Sequence, residues 1–359
     1  MAEPILTRPA WVQIQENSQF LKDRHPYIAP PFSKEVDPQE VAIAYGRRQV
    51  DKLVGVLKLG DELPPEQCKQ ALQALFDCIS SQESRALAIK SGVLPHLLSR
   101  TTDQDRVIRR LACILVARFI TIQSGREAFA RDDGLPNILA GLQDPIREVN
   151  HASAECLHNL SNSPDGSVFL RTNSDTAVPA VVQHVQRCRA DGSSAAGMVS
   201  IETLVNLTRV GSGVEAVLQA NGADVLLHCI RTDGPDGAHL EASARAVSQI
   251  CQHPLGKKKV LQLDGLPAIT ALLGDAMRGR GAVQQLATAA LMGLTLDEAA
   301  KVAIVETAGK RLAELVSCAD QAVSQNALYT LQSAAEHPTA KEILQVRLDP
   351  ATRLRVLGF

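Results

Sequence analysis

Apolar residues recur along this chain with the period of a helix. Leu135, Ile138, Leu139 and Leu142 follow the i, i+3, i+4, i+7 spacing, as do Val178, Val181, Val182 and Val185, and again Val50, Leu53, Val54 and Leu57. Each set predicts one buried stripe on one helix. The stripes are punctuated by Gly92, Gly134, Gly222, Gly265 and Gly309, with Asp175 in the same place between the second and third, at steps of 42, 41, 47, 43 and 44 residues. At such a junction a helix is expected to stop in the left-handed conformation that glycine adopts at little cost. Val93-Leu94-Pro95, Leu135-Pro136, Ala177-Val178-Pro179 and Leu266-Pro267 come directly after, so each proline is expected in the first turn of the next helix. A fixed period of this length marks stacked helical repeats, which bury their apolar faces only against neighbours.

A longer helix is expected to close each repeat. It carries Leu75-Phe76-Asp77, Leu115-Val116-Ala117, Leu157-His158-Asn159-Leu160, Leu204-Val205-Asn206-Leu207, Val247-Ser248-Gln249-Ile250, Leu291-Met292-Gly293-Leu294 and Leu331-Gln332-Ser333. Together, G-x-x-P, an apolar stripe and A-x-x-x-L-x-N-L resemble the armadillo family. The expected fold is all-α: a right-handed superhelical armadillo-repeat solenoid over 39–359, with an extended arm over 1–38. Seven units are expected near 47–92, 93–134, 135–175, 176–222, 223–265, 266–309 and 310–359. Cys188 to Gly197 and Thr232 to Gly237 read as surface loops inserted between helices.

Composition supports helix-on-helix packing. Apolar residues make up 45% of the 359, aromatics only 3%, so Leu, Ala and Val carry the core. With 37 basic and 39 acidic residues the formal charge is −2, which supplies no field for nucleic acid or anionic lipid and leaves proteins as the expected partners. The eight cysteines contain no C-x-x-C pair and read as reduced core residues. The N-terminus shows no secretory pattern, and the longest apolar run, Leu111 to Ala117, is too short to span a membrane.

The arm holds six of the 18 prolines and four aromatics, Trp11, Phe20, Tyr27 and Phe32. Proline density predicts an extended segment, and its rings are expected to anchor it on the solenoid or on a partner. In armadillo folds the third helix lines a groove. Taking Asn159 as reference, the groove positions read Gln70, Gln73 and Asp77; Arg110, Cys113 and Ala117; Glu155, Asn159 and Asn162; Glu202, Asn206 and Arg209; Arg245, Gln249 and Gln252; Leu286, Ala289, Gly293 and Leu296; and Asn326, Tyr329 and Ser333. Asn159 and Asn206 either clamp the backbone of an extended peptide or tie neighbouring helices together. Leu286 and Leu296 make the last third apolar, as expected of a contact surface. Importin-like adaptors carry tryptophans on this face, where this chain has Gln73, Cys113, Glu155, Glu202, Arg245, Ala289 and Tyr329, so a receptor for basic nuclear signals is disfavoured.

Reactive chemistry is sparse. Cys156 and His158 are two apart on a helix and point apart, which disfavours a metal with His151. Gly211-Ser-Gly213 has no preceding strand, as a phosphate loop requires. Arg278-Gly-Arg280-Gly281 reads as a turn, and Lys257-Lys258-Lys259 as a solvated face open to an acidic partner. No nucleophile–base pair or paired carboxylates stand out, so neither an enzyme nor a cofactor is expected.

Ahead of the repeats stands Asp37-Pro38-Gln39-Glu40-Val41-Ala42-Ile43-Ala44-Tyr45-Gly46-Arg47-Arg48. This segment, and the unit order after it, resemble the radial-spoke armadillo proteins of motile cilia and flagella, of the rhabdoid tumour deletion region family. The resemblance implies a structural subunit of the axonemal radial spoke, held among other spoke subunits in a large hetero-oligomer in the cytoplasm of the cilium. The alternative is a soluble armadillo adaptor that binds peptides in trafficking or signalling.

Overall fold

The computed structural model describes residues 49–358 apart from 235, 236 and 278, and leaves the side chains of Asp61 and Ala276 undescribed. The expected arm, with Trp11, Phe20, Tyr27 and Phe32, and the segment Asp37 to Arg48 lie outside these residues. Contacts divide the chain after Lys52, and the second unit, Leu53–Phe359, holds the repeats.

Its helices come in a repeating order. After α1 (Gln49–Leu57), the long α2 (Pro65–Cys78) is followed by two short helices, α3 (Gln82–Lys90) and α4 (Leu94–Arg100). The order recurs in α5 (Arg106–Phe119), α6 (Gln123–Arg131) and α7 (Leu135–Leu142), and in α8 (Arg147–Ser161), α9 (Pro164–Thr172) and a lengthened α10 (Ser174–Ala190). It continues through α11 (Ser194–Leu207), α12 (Gly211–Gln219) and α13 (Gly222–Thr232), then α14 (Leu240–Ile250), α15 (Pro254–Gln262) and α16 (Gly265–Ala271). Next, α17 (Gly281–Leu294) is followed by one fused helix, α18 (Glu298–Leu315), and α19 (Gln321–Ala334) by α20 (Pro338–Arg347) and α21 (Pro350–Leu357). No strand occurs among the described residues. Each long helix packs on the long helix of the next repeat, so α2, α5, α8, α11, α14, α17 and α19 form one wall. The leucines of the L-x-x-L pattern hold that wall together: Leu75, Leu157, Leu160, Leu204, Leu207, Leu291, Leu294 and Leu331 are all buried. Within each glycine-to-glycine segment the wall helix lies in the middle, with another helix on either side, and does not close it.

The glycines act differently from expectation. Of the five, only Gly92 is itself left-handed (φ 79°). At three junctions the preceding Asp133 (φ 47°), Asn221 (57°) or Asp264 (51°) takes that conformation. Asn and Asp tolerate it better than other side chains, because a short polar group bonds locally. The glycine that follows serves close packing instead. A methyl group on Gly134, Gly222 or Gly265 would lie 2.5–2.7 Å from side-chain carbons of Phe129, Val217 or Val260. Gly309 marks no break, since α18 runs straight through it.

A second glycine series, which the apolar pattern does not reveal, is stricter. A methyl group on Gly125, Gly166, Gly213 or Gly256 would lie 1.9, 2.3, 2.0 or 2.1 Å from the carbonyl oxygen of Phe119, Leu160, Leu207 or Ile250. Each is the third residue of a short helix, pressed on the last turn of the long helix before it.

Two further expectations are corrected. The stretch Cys188–Gly197 is almost entirely helical, with only Asp191–Ser193 outside α10 and α11. Cys188 is buried and continues the stripe Val178, Val181, Val182, Val185 by one more turn, so the extra residues lengthen a helix instead of forming a loop. Pro179 accordingly lies inside α10, beyond its first turn. The six buried cysteines are core residues. Burial pushes the Cys113 and Cys188 thiols up to about 11 and Cys251 to about 12, so they stay protonated at neutral pH.

Gly309→Ala should stabilise α18 by about 0.5–1 kcal/mol, since the nearest neighbour of the new methyl, Val305, lies at 3.5 Å. Gly213→Ala should destabilise by about 1–3 kcal/mol; denaturant midpoints of the two variants check both signs. The fully buried His184, 2.8 Å from Ser200 Oγ, supplies a pH prediction. Burial, then Arg187, lowers its pKa to about 4, against a smaller opposing effect of Asp191. Between the ordinary histidine range and that value the unfolded chain binds a proton that the folded chain does not. Stability should therefore fall as pH drops through this window, by up to about 3 kcal/mol, and level off below it. His184→Gln should flatten that part of the stability curve relative to the parent.

Candidate protein-binding surface

The close-approach residue of each short helix fixes the register of the repeats. Aligning Ser84, Gly125, Gly166, Gly213, Gly256, Ala300 and Ala340 places Asp77, Arg118, Asn159, Asn206, Gln249, Gly293 and Ser333 in one row along the wall. The groove positions expected from the sequence are one residue out of step in α5. Cys113 and Ala117 are core residues, and Arg118 and Ile114 take the two surface places.

Hydrogen bonds confirm the row. Arg118 Nη1 donates to the Phe76 carbonyl at 3.4 Å, with its guanidinium 3.6 Å from the Phe76 ring centre. One repeat later, Asn159 Nδ2 donates to the Ala117 carbonyl at 3.0 Å. Asn206, 5% exposed, donates through Nδ2 to Ser161 Oγ (3.0 Å) and Asn162 Oδ1 (2.8 Å). Gln249 Oε1 accepts from Thr208 Oγ1 at 2.6 Å, and Gln252 Nε2 donates to the Ala289 carbonyl at 3.0 Å. Gly293 has no room for a side chain in this row: a methyl there would lie 2.6 Å from the Cys251 carbonyl oxygen and 2.9 Å from the Gln252 amide. Both amide hydrogens of Asn206 and one of Asn159 are thus engaged by neighbouring repeats. A partner backbone meets their oxygens, the second amide hydrogen of Asn159 and whatever donors it displaces.

The remaining expected positions divide the wall by charge. Asp77 is exposed and accepts from Gln73 at 3.2 Å, and Arg110 is exposed. Glu155 and Glu202 are half-buried; Glu155 lies 3.5 Å from His151, and Arg245 reaches Glu241 at 2.8 Å and Glu202 at 3.9 Å. Asn162 and Arg209 are exposed. Beyond them α17 and α19 contain no charged residue at all. Leu286 is half-buried there, while Leu296 and Tyr329 are 69% and 54% exposed. Asn326 and Ser333 reach back to Thr288 and Thr295 at 3.4 and 3.5 Å.

No protein-family model matches the chain. Its structure is similar to that of an engineered protein, at 21% identity and TM-score 0.71 over 87% of this chain and 74% of that one. A designed armadillo-repeat protein in complex with the peptide (KR)4 matches at 17% identity and TM-score 0.59, over 69% of this chain and all of the other. A chain from a study of the cadherin–β-catenin interaction matches at 17% identity and TM-score 0.68, over 82% of this chain; this chain spans about half of that one, 54%. The fold is the armadillo-repeat solenoid.

Two depressions in the armadillo wall are lined by residues that, Arg110 apart, are not among the expected groove positions. One, of about 210 Å³ between α5 and α8, is lined by Arg106, Val107, Arg110, Ile146 and Glu148. The other, of about 340 Å³ between α8 and α11, includes Arg147, Glu148, His151 and Ser193. Arg106 and Glu148 lie in the first turn of their helices, one turn before Arg110 and near His151, so the helical period contained the signal. No group of three His, Cys, Asp or Glu side chains positioned for a metal occurs among the described residues. Cys156 is buried and donates to the Cys113 carbonyl, while His158 Nε2 meets Asn162 Nδ2 at 2.9 Å. Among the described residues no helix is long and apolar enough to cross a membrane.

Arginines and lysines join one repeat to the next. Arg109 pairs with Asp144 at 2.6 Å, Arg126 with Asp165 at 2.7 Å and Arg189 with Asp233 at 2.7 Å. Asn206→Ala should destabilise the protein by about 1–3 kcal/mol, because it removes two bonds between repeats and leaves Ser161 and Asn162 without them. Tyr329→Ala, on an exposed ring, should shift stability by no more than about 0.5 kcal/mol. Equilibrium unfolding of the two variants tests this division between structural and surface positions.

Proposed function

We propose that this chain is a non-catalytic scaffold that holds partner polypeptides along its long-helix wall. One observation carries the reading. Successive long helices present rows of side chains whose character changes from charged, at Arg106 to Arg245, to uncharged and apolar, at Leu286, Leu296 and Tyr329. A graded surface of this kind discriminates between partners by charge and anchors them by apolar burial. The binding of (KR)4 by a designed armadillo-repeat protein supports the use of such a wall for peptides. On this chain Glu148, Glu155 and Glu202 are the positions suited to a partner's basic residues.

The finer reading is a structural subunit of the axonemal radial spoke, within a large assembly of other spoke proteins. The segment Asp37 to Arg48 supports it through its resemblance to the radial-spoke armadillo proteins. Tagged protein in isolated axonemes should resist extraction by salt and detergent and should co-purify with spoke subunits; recovery chiefly from the soluble pool would overturn this assignment. In the same material Glu155→Lys with Glu202→Lys should reduce partner capture about tenfold or more, equivalent to about 1.4 kcal/mol. Glu127→Lys, on short helix α6, should leave capture unchanged. Equal capture by both variants would remove the wall from the mechanism.

A further inference from the structure

Away from the wall, the first short helices of successive repeats stack on one another, α12 against α15 among them. Between these two runs a groove of about 380 Å³. Glu215, Leu218 and Gln219 line it from α12, and Leu255, Lys258 and Lys259 from α15. Leu255 is 53% exposed and offers the groove an apolar side chain. The neighbouring lysines are unmatched. In two other repeats the cation that follows the close-approach residue is neutralised by the next repeat, Arg126 by Asp165 at 2.7 Å and Lys301 by Glu336 at 2.8 Å. In a third, Arg85 donates to Thr121 Oγ1 of the next repeat at 2.6 Å. Lys257 occupies that place in α15 and makes no ion pair with a described residue, nor do Lys258 and Lys259. The one carboxylate lining the groove among the described residues, Glu215, lies 3.7 Å from His253.

We propose that this groove docks an acidic segment of a partner protein, with an aliphatic side chain seated between Leu218 and Leu255 and carboxylates on Lys258 and Lys259. Two lysines against one glutamate give the groove a positive balance, which Lys257 next to them reinforces and a run of carboxylates would complete. Lysine stems cover apolar surface while their ammonium groups stay in water, so charge and apolar contact act on the same short segment. One exposed leucine is too little apolar area to hold the chain on a bilayer, which favours a peptide over a lipid surface.

The test uses the full chain and a fluorescein-labelled peptide with glutamates on both sides of a central leucine, followed by anisotropy. Saturable binding is expected, weakening as salt is raised. Leu255→Ser and Lys258→Glu should each weaken binding about tenfold or more, with unfolding midpoints close to the parent's because both positions are exposed. Glu155→Lys with Glu202→Lys should leave this binding unchanged, which separates the groove from the wall. Absence of saturable binding, insensitivity to both groove substitutions, equal affinity for a peptide with lysine in place of glutamate, or binding to anionic vesicles in preference to the peptide would each overturn the proposal.

Discussion

At the end of four of the seven long helices the chain turns back so tightly that the third residue of the next short helix presses on a backbone carbonyl. In these four repeats a β-carbon at that point would lie within 2.3 Å of the oxygen, so only glycine fits. The remaining architecture depends on this contact. It sets the angle at which the short helix leaves, and therefore where the next long helix begins. It also fixes the register in which the long helices meet. Side chains then fall into rows that cross from repeat to repeat, and a hydrogen bond made once, such as Asn159 to the Ala117 carbonyl, has its counterpart one repeat earlier in Arg118 to Phe76.

The wall meets two demands with one set of residues. Leucines on its hidden side supply the burial that no single repeat achieves alone. Polar side chains on its open side tie neighbouring helices and also face solvent. Amide donors engaged in this way stiffen the surface and lower the ordering cost of binding, but fewer of them remain for a partner. Selectivity then rests on the charges of the first five long helices and on the apolar, uncharged end formed by α17 and α19.

Much of this organisation was legible in the sequence. The glycine period and the apolar stripes identified helical repeats, and the L-x-x-L leucines marked the core of the wall. Sequence reasoning failed where a local pattern allowed two solutions. In α5 the run Leu111 to Ala117 is apolar on all sides, so periodicity alone did not separate Ala117 from Arg118. At the junctions the glycine was given a left-handed role that the preceding Asp or Asn performs, because steric demand from a neighbouring helix leaves no local trace. In α10 the polar stretch after Cys188 resembled a loop, although Cys188 itself continues the buried stripe. The second glycine series was present in the sequence at the same period as the first, and is explained only by the carbonyl it approaches.

Site-specific photocrosslinking in the native assembly tests the use of the wall most directly. A benzophenone side chain is placed at Glu155 and Tyr329 on the long helices, and at Ala140 and Gln186 on the second short helices. The account predicts crosslinks to partner polypeptides from the first pair and none from the second. Crosslinks confined to Ala140 and Gln186 would contradict it.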